Sequence, residues 1–176
     1  VEALRFFHLE SKKKYVDSLE EKESNDSVLV LGDYLMENNE QLIEMLKSAA
    51  PLLPSNLNFI FKPHPACMIS KSKFTGLNVE INEENIANLL SRSIIAVSSN
   101  VTTAALDVYF HGLPLACMID PNKLNLSPML EIDKAVFVKT HFDLAKKISL
   151  STSRYRAINM KPNDFFELDS SLPKWL

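Results

Sequence analysis

The 176-residue chain is 46% hydrophobic and 23% charged, the balance of a soluble domain large enough for one good core and small for two. Its formal net charge of −3 gives no support to a nucleic-acid surface, which announces itself as a basic excess. No apolar run reaches the length of a membrane span, and no basic start leads into one.

In chain order, Val1, Leu4, Phe7, Tyr15 and Leu19 recur at helical spacing, and Lys12, Lys13 and Lys14 read as a solvated face. Residues 1–27 are expected to form an N-terminal helix and a charged linker, entered in mid-helix as in a domain of a longer protein. From residue 28 strand and helix alternate. SVLVLGDY is a buried parallel strand by composition, and MENNEQLIEMLKSAAPLL is a helix with Leu42, Met45, Leu46 and Ala49 on one face, ended by Pro51 and Pro54. NLNFIF is the second strand and GLNVEI the third. Asn82, Glu83 and Glu84 offer an N-cap and an acidic first turn for EENIANLLSR. SIIAVSS is the fourth strand, followed by the helix VTTAALDVYF, which His111 and Gly112 close. LPLACMI and AVFVKT are the fifth and sixth strands, and HFDLAKKISLS is the last helix. In the tail, Phe165, Phe166 and Trp175 are expected to dock on the body or on a neighbouring domain.

This alternation selects an α/β fold, a Rossmann-like parallel sheet of about six strands with helices on both faces, over residues 28–176. The chain has three glycines, too few and too scattered for the dinucleotide fingerprint, so the architecture is Rossmann-like without the usual NAD chemistry. Cys67 and Cys117 sit in or beside apolar runs at no metal spacing and read as buried free thiols.

Two turns carry the chemistry, and both follow strands, where ligands bind in sheets of this kind. In NLNFIFKPHPACM, His64 stands between two prolines, each of which restricts the backbone around it. An imidazole restrained in this way suits donation to a leaving oxygen at little entropic cost, and Lys62 adds positive charge. The plain alternative is a proline-rich strand stop with a surface histidine. In SIIAVSSNVTTAALDVYF, Ser98, Ser99, Thr102 and Thr103 gather where a strand meets a helix N-terminus. Backbone N–H groups and the helix dipole favour an anion there. Ordinary capping is the alternative, although one hydroxyl would suffice for it.

KPHP after one strand and SSNVTT after a later one resemble the HP and SS motifs of bacterial GT-B glycosyltransferases that use CMP-activated sugars. These are the sialyl-, polysialyl- and Kdo-type transferases of surface polysaccharides, and CDP-glycerol glycerophosphotransferases carry a similar pair. The resemblance spans roughly residues 28–150, in about a dozen specific positions. It implies the C-terminal, nucleotide-binding domain of such an enzyme, with His64 contacting the donor phosphate and Ser98 and Ser99 holding it on the helix N-terminus. The run HGLPLACMID is similar to the Gly-x-Pro strand start that follows this helix in GT-B enzymes. The glycerophosphotransferases carry Asp-Tyr before their serines where this chain has Ala96 and Val97, which points to the sugar transferases.

Glu80, at the end of the third strand, is placed to take ribose hydroxyls or to face solvent. Asp107 and His111 read as structural. No metal and no cofactor are expected, the nucleotide-sugar donor being a substrate. The partners implied are that donor, a glycan or lipid-linked acceptor, and an N-terminal domain that supplies the general base, without which the chain is expected to be inactive. The implied location is cytoplasmic or peripheral at the inner face of the membrane. Two rivals stand beside this reading. A nucleotide-sugar epimerase half would need further carboxylates in the cleft. A non-catalytic Rossmann-like interaction module would have no reason to pair a restrained histidine with an anion turn.

Overall fold

A computed structural model of the chain describes residues 27–130 and 136–153. The expected N-terminal helix and linker and the tail aromatics lie outside these residues. Six strands, β1 (Ser27–Leu31), β2 (Asn58–Lys62), β3 (Val79–Ile81), β4 (Ile95–Ser98), β5 (Leu115–Met118) and β6 (Phe137–Val138), form one sheet in the order β3-β2-β1-β4-β5-β6. Every pairing is parallel, with Leu31 opposite Lys62 on one side and Ser98 on the other. The expected α/β parallel sheet is therefore present. Its order reverses between β1 and β4, which makes their carboxyl ends the topological switch point.

The central strands are buried on both faces, and this is why they read as unbroken apolar runs. Val28, Val30, Phe59, Phe61, Ile95 and Val97 point to one face. There they meet Leu42, Ile43, Leu46 and Ala49 of α1 (Met36–Ala49) and Leu144, Ala145 and Ile148 of α4 (His141–Ser153). The intervening positions Leu29, Leu31 and Ala96 are buried on the other face, which takes α2 (Ile86–Ser91) and α3 (Ala104–His111). Helices α1 and α4 pack together, as do α2 and α3. Among the described residues no helix is long and apolar enough to cross a membrane.

Helix ends follow local hydrogen bonding. Gly112 closes α3 in the left-handed region at φ 76°, its N–H returning to the Tyr109 carbonyl, the position where glycine avoids a Cβ clash. The start of α2 differs from expectation. Its cap is Asn85, whose side chain accepts from the Ala87 N–H at 3.0 Å. Asn82 instead accepts from the Glu84 N–H at 2.8 Å, a short turn that competes with helix and delays it.

Candidate functional site

The turn after β2 is fixed by its own bonds. The Cys67 N–H donates to the His64 carbonyl at 2.8 Å, closing a β-turn with Pro65 in the position that proline favours. The Ala66 N–H donates to His64 Nδ1 at 3.1 Å. A ring nitrogen that accepts carries no proton, so the hydrogen of the neutral imidazole sits on Nε2. No described residue takes up Nε2, and the half-exposed Tyr34 ring stands edge-on to the imidazole, centroids 6.2 Å apart. Lys62 turns elsewhere: its ammonium donates to the Glu83 carbonyl at 3.3 Å and to that of Glu84.

The turn after β1 lies between the other two. The Gly32 N–H donates to the Lys62 carbonyl at 2.8 Å, and a Cβ on Gly32 would stand 3.0 Å from both that oxygen and the His64 nitrogen. Glycine is required there because main chain passes main chain. The next residue, Asp33, is 1% exposed. One of its oxygens accepts from the Leu35 N–H at 2.8 Å. The other accepts from Asn38 Nδ2 at 3.1 Å and from the hydroxyl of Ser99. Asn39 completes the cluster. Its side-chain oxygen accepts from the Asp33 N–H at 2.8 Å, and its amide donates to the Asp33 carbonyl at 2.8 Å and to Cys67 Sγ at 3.3 Å.

The turn after β4 leads into α3. Ser98 belongs to the strand and points into the sheet interior, its hydroxyl 3.3 Å from Cys117 Sγ. Ser99, one residue on, lies beyond the strand and accepts from the Val101 N–H at 3.4 Å while donating to Asp33. Thr102 Oγ1 accepts from the Ala104 N–H at 3.4 Å, and the Thr103 carbonyl from the Leu106 N–H at 3.0 Å. The positive end of the α3 dipole is thus aimed at the same edge as His64. Asn100 Nδ2 donates to the Leu124 carbonyl at 3.1 Å, and Lys123 pairs with Glu37 at 2.5 Å. These bonds hold the β5–β6 segment against the start of α1 and the turn after β4.

The structure therefore brings His64, Ser99, Thr102 and Thr103 to one edge, on either side of Gly32 and Asp33. With parallel neighbours about 4.8 Å apart, the β2 and β4 turns stand roughly 10 Å apart at the backbone. Lys62 and Ser98 are directed away from that edge. Glu80 is the middle residue of the edge strand β3, exposed, with its carboxylate accepting from Asn82 Nδ2 at 2.7 Å. Sequence reasoning passed over Asp33, Asn38 and Asn39. A signal was present, an acidic residue directly after the glycine that follows the first strand, with two adjacent asparagines five and six residues on.

No protein-family profile matches the sequence, and no curated protein matches it. Among solved structures the chain is similar to the catalytic domain of cholesterol-alpha-glucosyltransferase from Helicobacter pylori, with a TM-score of 0.52 and 19% identity over 72% of this chain and 86% of that one. The Rossmann-like α/β fold built here is one that a glycosyltransferase catalytic domain also adopts.

Proposed function

We propose that this chain is the donor-nucleotide-binding domain of a glycosyltransferase of surface-polysaccharide synthesis, with a CMP-linked sugar as donor. The observation that carries the reading is the junction of three turns at the switch point. The turns after β2 and β4 flank the β1 turn and are joined to it, one through Gly32 and one through Asp33. In this reading the sugar–oxygen bond of the donor breaks and the departing phosphate oxygen takes the electron pair. The Nε2–H of His64 meets that charge from one side. The main chain and positive end of α3, from Ser99 to Thr103, meet it from the other. A likeness in fold to a glycosyltransferase catalytic domain supports the same class. The general base and the acceptor belong to a second domain, so this chain alone binds the donor without turning it over.

The test is a calorimetric panel of CMP, CDP, UMP, UDP and GDP on this chain. Cytidine nucleotides are expected to bind most tightly, and weakly in absolute terms, because one domain encloses only part of the ligand. Equal binding of all five would remove the cytidine assignment and leave a phosphate site. Binding of none would remove the donor-site reading.

A further inference from the structure

The buried cluster under the site has a direction. A hydroxyl has one hydrogen to give, and that of Ser99 goes to Asp33, while its oxygen accepts from the Val101 N–H. The main chain of Asp33 is bonded to Asn39, whose amide donates to the Asp33 and Leu35 carbonyls and reaches the sulfur of Cys67, the residue that closes the His64 turn. One unbroken run of bonds thus joins the two turns beneath the sheet edge, from Cys67 through Asn39 and Asp33 to Ser99. We infer that Asp33 is the positioning residue of this site, with Asn39 setting the His64 turn and Ser99 setting the start of α3, so that Ser99 acts on a bound phosphate through the shape of its turn and not through its hydroxyl.

The chemistry of Asp33 makes this specific. Its two oxygens serve three donors, namely the Leu35 N–H, the Asn38 amide and the Ser99 hydroxyl. An amide in its place has one oxygen, and its NH2 must then face at least one of those donors. A donor opposed in this way must turn round to accept, as the Ser99 hydroxyl or a flipped Asn38 amide can, and either change reverses the bonds that fix the two turns. Asp33→Asn therefore changes the site by altering hydrogen-bond polarity at nearly constant volume.

The inference rests on the donor-site reading only where a ligand is used, and the test has one arm with a ligand and one without. In the first arm CMP dissociation constants are measured for Asp33→Asn, Ser99→Ala and the double variant of the full chain. Each single change is expected to weaken CMP about tenfold, and the double variant to be no weaker than either, since groups in one network couple strongly. Independent effects that multiply to about a hundredfold would place the Ser99 hydroxyl on the phosphate and overturn the inference. In the second arm, without nucleotide, the ring nitrogen resonances of His64 are expected to move in Asp33→Asn and in Asn39→Ala. Those of His141, on α4 away from the network, are expected to stay. An unmoved His64 would overturn the link between the turns, whatever CMP does. If wild type binds no nucleotide, the donor-site reading fails and this arm still decides the inference. Should Asp33→Asn not fold, Asn38→Ala, which removes one donor from the same oxygen, takes its place in both arms with the same expected pattern.

Discussion

His64 makes two claims on its ring. Nδ1 serves the turn by accepting from the Ala66 N–H, which leaves Nε2 as the ring nitrogen available to donate, in the proposed reading to the departing phosphate. Glutamine at this position can place an amide N–H near Nε2. If the proposed function holds, His64→Gln is therefore expected to keep much of the donor turnover. His64→Ala should lose about 100-fold to 1,000-fold, the range for removing one preorganised donor. Equal loss in the two variants would mean that the imidazole must give up a proton. The restrained histidine was legible in the sequence, because two prolines leave its backbone little freedom. Which serine faces the edge was not. Successive strand residues point to opposite faces, so the hydroxyls of Ser98 and Ser99 part company according to where β4 stops, and composition does not mark that point.

At the scale of the element, α4 carries its own pH response. The Thr140 hydroxyl and N–H donate to Asp143 Oδ2 at 2.8 and 3.1 Å, and the Asp143 N–H returns to Thr140 Oγ1 at 3.1 Å. This is a reciprocal cap. The Thr140 hydroxyl foremost, then backbone N–H groups and the nearby Lys146, hold the Asp143 carboxyl below its ordinary range against the opposing effect of desolvation. A carboxyl depressed in the folded state stabilises it above the unfolded value of about 3.9, and that contribution is lost as pH falls through the lowered titration. Acidification is therefore expected to fray residues 141–144 first, read from their amide resonances between about pH 5 and pH 2. Asp143→Asn should already show the frayed pattern at neutral pH and change little on acidification. An unchanged pH response in that variant would assign the fraying to another group. The helix itself was visible in the spacing of Leu144, Ala145 and Ile148. The later start of α2 was not, because Asn82 and Asn85 are equally good caps and only the turn around Glu84 chooses between them.

At the scale of the molecule, the alternation of strand and helix was legible and the strand order was not. Nothing in SIIAVSS states that it lies beside β1 rather than beside β3, yet that adjacency brings the second motif to the first. The polar cluster was hidden for the same reason, since Asp33 and Ser99 are 66 residues apart and meet only across the β1–β4 pair. The two free cysteines lie at different depths in this arrangement. Cys67 is 7% exposed and closes the His64 turn, whereas Cys117 is fully buried in β5, between β4 and β6. Loops open at lower free energy than core strands, so the two sulfurs keep separate time. A neutral thiol reagent in native buffer should modify Cys67 at the rate at which the histidine turn opens, and Cys117 only at the rate of global unfolding. If CMP binds at the proposed site it should slow both sulfurs, Cys67 by no more than Cys117, because global unfolding removes the site as completely as opening of the turn can; mass spectrometry of the two peptides reads both. If both sulfurs react together, the turn has no motion of its own and the site opens only when the whole sheet does.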